Sequence, residues 1–294
     1  MAQETLKSLL PKFTQYLETN GKSQATILAY KTDLLQFIAF SETKQKALLE
    51  EVKQDLIEGF RDTMLAQKFT PKTVSRKLNA IKTMFRFLIA ENHLLFDPSS
   101  AVAHPKIELG TPKFLSAMEY RALRDVARDD PKIATIVELM LQTGIRISEV
   151  ADLKKGNVGD GKLIVEAYSV QPERTIPLGK KAVESIEAFL KVRGNSDSVY
   201  LFNSKNGKPL AVRNIRASID KCMKKAGVTG FSVNDLRTTF VVHNLQAGVD
   251  IVLLSQVVGH KRLSTTERYL EIAGLTEPGK KQELEELWNL SGAG

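Results

Sequence analysis

Over the first hundred residues the apolar positions recur at three- and four-residue intervals, which predicts a string of amphipathic helices. Ser23 is placed to cap a helix in which Ile27, Tyr30, Leu34, Phe37 and Ile38 share a face. Thr70-Pro71 is a second start signal, a cap followed by proline in the first helical position. Val74, Leu78, Ile81, Phe85 and Leu88 draw the apolar stripe behind it. Lys72, Arg76, Lys82 and Arg86 fall off that stripe, partly on a common side. The commoner fate of such charges is a solvated face; the sharper reading is a set of contacts to nucleic-acid phosphates.

Between Asp97 and Lys113 the periodicity stops: three prolines and a glycine read as an interdomain linker. The boundaries expected are a helical N-terminal domain over 1–105, a linker over 106–111 and a second domain over 112–294. That second domain opens at Ser116, where Ser116 and Glu119 form a capping box ahead of Leu123 and Val126. An apolar helix from Ile133 to Leu141 ends near Thr143-Gly144, and helical character resumes from Ile145 to Leu153. The one β-rich stretch follows, with a turn at Gly159-Asp160-Gly161 flanked by short strands at Lys162–Val165 and Arg174–Pro177. Helices return over Lys180–Val192 and Ala211–Ala226. After the Pro278-Gly279 break, Leu284, Leu287 and Trp288 stripe an otherwise charged tail, which must cover that face on its own domain or on a neighbouring subunit. The fold expected is mainly α, with a small β-hairpin or sheet.

Composition narrows the class. The 294 residues are 43% hydrophobic and 26% charged, the balance of a globular chain and not a disordered one. A formal charge of +8 fits an anionic partner such as DNA, although many basic proteins bind none. Cys222, the single cysteine, rules out an intramolecular disulfide and a paired-cysteine metal site. The opening MAQETLKSLL carries an acid near its head and no long apolar core, so no secretory leader is expected. No run approaches the roughly eighteen apolar residues of a membrane span. A cytoplasmic protein is the expectation.

Four segments carry candidate chemistry: Thr143-Gly-Ile-Arg146-Ile-Ser-Glu149-Val150, Asn234-Asp-Leu-Arg237-Thr-Thr-Phe240, Val258-Gly-His260-Lys261 and Ser264-Thr-Thr-Glu-Arg-Tyr269. Singly, each has a plain explanation: an arginine at a helix end, a surface arginine, a half-buried packing tyrosine. Their order and spacing together are more specific, with His260 and Tyr269 nine residues apart. In this the chain resembles the tyrosine recombinase (integrase) family, and in length and layout the Xer-type recombinases most. The pattern Thr26-x-x-x-Tyr30-x-x-Asp33-Leu34-x-x-Phe37 is similar to a helix of that family's N-terminal core-binding domain.

The resemblance implies a two-domain clamp, a core-binding domain followed by a catalytic one, acting on duplex DNA. Tyr269 would attack the scissile phosphate to form a 3′-phosphotyrosine link. Arg146 and Arg237 would neutralise the non-bridging oxygens, for which planar guanidinium forks are suited, and His260 would donate a hydrogen bond to the same phosphate. Lys72, Arg76, Lys82 and Arg86 would contact DNA. It further implies a dimer per site, a tetramer in synapsis, an optional second recombinase, no cofactor and no metal.

Two positions depart from the family's pattern. Ser169 stands where a hairpin lysine is expected to protonate the leaving 5′ oxygen. Asn234 stands where the first histidine of the His-x-x-Arg motif belongs. Serine is a poor acid at neutral pH, and losing a general acid costs about 10²–10⁴ in rate. Lys162, or another lysine carried by the hairpin, is one substitute. Two other functions compete: a recombinase-like regulatory protein that binds DNA without cutting it, and a topoisomerase that relaxes DNA with the same arginine, histidine and tyrosine chemistry. His93 and His104 lack partners at metal-ligand spacing, and His243 reads as a core or surface histidine. With no glycine-rich phosphate loop, no nucleotide cofactor is expected.

Overall fold

The structure, a computed structural model, describes residues 4–108, 110–168, 171–194 and 197–275. The tail stripe Leu284–Trp288 and Ser169 lie outside these residues. Two compact units meet between residues 109 and 110.

The N-terminal unit contains α1 (Leu6–Thr19), α2 (Gln24–Thr43), α3 (Gln54–Ala66) and α4 (Pro71–Ala90). Both expected caps form: Ser23 Oγ accepts from the Thr26 amide at 3.2 Å, and Thr70 Oγ1 from that of Thr73 at 3.3 Å. The stripe of α4 is buried, and α4 packs on each of the other three helices. Phe13, Phe37, Phe60 and Phe85 fill the centre. A charged cluster enters this core. The Asp33 carboxylate accepts from Lys77 Nζ at 2.9 Å and pairs with Arg76, while Lys77 also reaches Gln36. Asp33 and Lys77 are almost wholly buried, so each needs the other to offset lost hydration.

The second unit is arranged around α6 (Pro131–Thr143), an apolar helix preceded by α5 (Ala117–Ala127) and followed by the short α7 (Ile147–Asp152). Strands β1 (Val158–Gly159), β2 (Lys162–Val165) and β3 (Arg174–Pro177) then form an antiparallel sheet in that order. The remaining helices are α8 (Lys180–Arg193), α9 (Val212–Lys225), α10 (Val233–Gln246), α11 (Ile251–Val258) and the single turn α12 (Ser264–Glu267). Helices α5, α8, α9 and α10 all pack on α6. The Ser116–Glu119 capping box forms in both directions at the head of α5.

The sheet differs from expectation in one respect. The Asp160-Gly161 turn joins β1 to β2 instead of joining the two expected strands. Both turn residues have positive φ, 50° and 68°, the geometry that matches a two-residue turn to strand twist. A two-residue β1 is too short to leave an alternating signature. Between β2 and β3 the chain makes a separate hairpin, whose register carries on to a Tyr168–Gln171 pair at the tip. Val165 faces Arg174 and Leu163 faces Ile176, which puts the Arg174 side chain on the buried face. Among the described residues no helix is long and apolar enough to cross a membrane.

Candidate active site

Four segments far apart in sequence converge in the second unit through the turns that end α6 and α11. Gly144 caps α6 in the left-handed conformation, φ 61°, where a Cβ would lie 2.5 Å from the Phe240 ring. That close approach sets Arg146, the extended N-cap of α7, against α10 and α11. Gly259 ends α11 in the same conformation, and a Cβ there would meet the Arg174 guanidinium at 3.1 Å. Glycine is required at both positions for the backbone conformation and for the space.

Main-chain carbonyls fasten the two expected arginines. Arg237, on α10, donates Nη1 to the Gly144 carbonyl at 2.6 Å and Nη2 to that of Val258 at 2.7 Å. Arg146 donates Nη2 to the Gly259 carbonyl at 2.7 Å and Nη1 to Glu149 Oε1 at 2.9 Å. The hairpin tip takes part, since Gln171 Oε1 accepts from Arg146 Nη1 at 3.1 Å.

A third arginine, legible beforehand only as part of a strand, completes the cluster. Arg174 sends Nη1 and Nη2 to the two oxygens of Glu149 at 3.0 and 2.7 Å, and Nε to the Val257 carbonyl at 2.8 Å. Glu149 therefore ties α7, β3 and the end of α11 together. Burial pushes its carboxyl pKa up, but the Arg174 hydrogen bonds and charge, with the Arg146 amide, outweigh that and hold it below the ordinary value. Burial and the neighbouring Arg146 charge lower the Arg237 pKa to about 9, which still leaves it cationic at neutral pH. Three guanidinium groups against one carboxylate leave a partly buried surplus of positive charge. An anion with several acceptor oxygens is the complement of that surplus.

His260 follows Gly259, with its amide bonded to the Ser255 carbonyl at 2.9 Å. Its Nδ1 lies 2.8 Å from Thr266 Oγ1. Burial and the charges of Arg237, Arg146 and Arg174 push its pKa down to about 4, so the ring is neutral at pH 7. Tyr269, on the turn after α12, stacks against His260 with ring centroids 6.2 Å apart and planes 9° apart. The nucleophile candidate thus sits beside the cationic cluster. A cleft of about 650 Å³ opens from it, lined by Arg146, Glu149, Tyr168, Gln171, Tyr200 and Lys261 among others.

Asn234 is exposed one turn before Arg237 on α10, and its main-chain carbonyl accepts from Thr238 Oγ1 at 3.4 Å. Lys162 pairs with Pro177 at the base of the hairpin, six residues from the tip, or about 20 Å along an extended strand. Lys261, adjacent to His260 and on the cleft, closes one of the four segments, but the sequence assigns it no role because a lysine beside a motif carries no periodic signal.

On the N-terminal unit, Lys72, Arg76 and Arg86 are exposed on α4. Arg76 is held by Asp33, Lys82 reaches the Ser100 carbonyl at 3.2 Å, and Arg86 folds back on Thr83 and the Lys82 carbonyl. A further basic face, unnoticed in sequence, is the outer side of α9, where Arg213, Arg216, Lys221 and Lys224 are exposed. Its signal was present in the spacing of Ile215, Ile219 and Met223, whose burial leaves those charges outward. His243 packs between Phe114 and Tyr120 and contacts the Leu115 carbonyl at 3.2 Å; His93 contacts Glu4, and His104 contacts Ser75. Among the described residues no cluster of histidine, cysteine and carboxylate groups could hold a metal ion.

Comparison with known proteins agrees with this geometry. Residues 113–274 match the phage integrase family, and residues 10–92 match the phage integrase N-terminal SAM-like domain. The tyrosine recombinase XerC of Thermodesulfovibrio yellowstonii is 30% identical over 86% of this chain and 87% of its own. Among solved structures, a lambda integrase tetramer bound to a Holliday junction shares the fold with a TM-score of 0.75 at 19% identity, covering 96% of this chain and 80% of that one. A lambda integrase fragment, solved as a dimer on a core site, has a TM-score of 0.72 at 20% identity, covering 89% and 97%. The chain belongs to the phage integrase family and is a site-specific recombinase of the tyrosine type.

Proposed function

We propose that the protein cleaves and rejoins duplex DNA at a specific site through a 3′-phosphotyrosine link made by Tyr269, in integration, excision or dimer resolution. The observation that carries this reading is the stacking of Tyr269 and His260 beside three arginines, two sharing the Glu149 carboxylate and the third fastened by main-chain carbonyls. A phosphodiester brings one negative charge and two non-bridging oxygens, which Arg146 and Arg237 can bind while remaining anchored by carbonyls.

In the cleavage step the Tyr269 oxygen bonds to phosphorus, the bond from phosphorus to the 5′ oxygen breaks, and the tyrosine proton is balanced by one taken up at the 5′ oxygen. Rejoining is the reverse, so the phosphodiester energy is conserved and no cofactor is consumed. Arg174 and Glu149 act through Arg146, holding it and the hairpin in register. Lys261, a cation on the cleft next to His260 in the chain, would supply the proton that Ser169 cannot.

Lys72, Arg76, Lys82 and Arg86 of the N-terminal unit, with the outer face of α9, would bind backbone phosphates. The lambda integrase dimer on a core site and the tetramer on a Holliday junction support a dimer per site and a tetramer in synapsis. A second recombinase as partner and a cytoplasmic location belong to the same reading.

The test uses nicked suicide DNA carrying the cognate site. The wild type is expected to form a covalent adduct that Tyr269→Phe abolishes while retaining DNA binding. A second reading, a DNA-binding regulator without strand cleavage, is favoured by Asn234 and Ser169. Tight specific binding with no adduct from the wild type decides for it.

A further inference from the structure

We propose that Thr266 is a positioning residue whose buried hydroxyl donates to His260 Nδ1, fixing the imidazole as the Nε2–H tautomer that offers the scissile phosphate a neutral donor. The inference rests on the reading of the site given above, and it adds a residue and a protonation state to it.

Thr266 is fully buried, and its Oγ1 lies 2.8 Å from Nδ1. Threonine on a helix usually donates to the carbonyl four residues earlier. Here that position is Arg262, and the Thr266 hydroxyl makes no such bond; Nδ1 is its hydrogen-bond partner among the described residues. A hydroxyl has one proton to place, and burial makes an unplaced one costly. The ring of His260 is neutral and carries a single N–H. With that hydrogen on Nδ1, the ring would donate to the threonine oxygen and the hydroxyl proton would be left without an acceptor. With it on Nε2, the hydroxyl proton goes to Nδ1, every group is satisfied, and the opposite edge of the ring presents N–H. An N–H complements an anionic phosphate oxygen, whereas a lone pair repels it.

The same assignment excludes His260 as the base for Tyr269. Its one free lone pair is occupied by Thr266.

The chain has four histidines, so uniform ¹⁵N-histidine labelling gives few signals, and the His260 pair is identified by its loss in His260→Gln. The wild-type protein, without DNA, is expected to show the Nε2–H pattern. Thr266→Val keeps the shape and β-branching but removes the hydroxyl. It should mix the tautomers and slow single-turnover cleavage of the suicide half-site by roughly 10–100-fold, the usual range for a partner that orients a histidine. Half-site affinity should stay unchanged, and Thr266→Ser should restore both readouts. A wild-type proton on Nδ1 overturns the proposal, as does a Thr266→Val protein with wild-type tautomer and rate. Should the valine variant misfold, the wild-type tautomer decides. Because that measurement needs no DNA, its outcome is separate from failure of the wild type to form an adduct, which would instead overturn the recombinase chemistry.

Discussion

Glu149 is the residue on which the cluster depends most, because one carboxylate serves two guanidinium groups and a backbone amide. Glu149→Gln should therefore lower stability by on the order of 3 kcal/mol at neutral pH, since it leaves buried cations without their counter-charge. The pH dependence follows from the depressed carboxyl pKa. Stability from Glu149 is full above the ordinary value of 4.5 and is lost as pH falls through the lower folded-state value. Denaturant melts of wild type and variant should accordingly differ most near neutrality and converge in acid; a constant gap would contradict this role. Lys261 poses a different question, that of proton supply. Lys261→Ala should slow cleavage of ordinary DNA by about 10²–10⁴, and a substrate with sulfur at the 5′ bridging position should restore the rate, because a thiolate leaves without protonation. An equal loss on both substrates would assign Lys261 to binding instead.

At the scale of elements, the two left-handed helix ends determine whether the site assembles. Gly144→Ala forces a Cβ into the Phe240 ring and a strained φ, so it should cost at least about 2 kcal/mol by thermal or denaturant melts and loosen Arg146 and Arg237 together. A stable, fully active alanine variant would mean that α6 ends differently in solution. The helices themselves were legible in the sequence, because Ser23, Thr70 and Ser116 cap them by local chemistry and stripes such as Val74 to Leu88 are local too. Arg146, Arg237, His260 and Tyr269 could be found by their spacing. The roles of Arg174, Gln171 and Thr266 could not, since each depends on a pairing between segments that no local period encodes. Asp33 and Lys77 show the same limit: on a wheel Lys77 reads as one more surface charge, and only the packing of α2 on α4 shows it buried.

For the whole molecule, a charge of +8 distributed over basic faces on both units predicts DNA binding that weakens steeply with salt. If Arg213 and Arg216 each touch one phosphate, Arg213→Ala with Arg216→Ala should reduce the slope of log affinity against log salt by about 1.8. An unchanged slope would move the α9 face out of the DNA contact. The guanidinium cluster has a consequence for descent. Its anchors at Gly144, Val257, Val258 and Gly259 are carbonyl oxygens, which every amino acid carries. Apart from the two glycines, whose conformation and space exclude a side chain, lineages can exchange side chains around them without dismantling the anion trap. The duty of proton donor can then pass from a hairpin residue to another position, or lapse, while the grip on a phosphate is inherited intact.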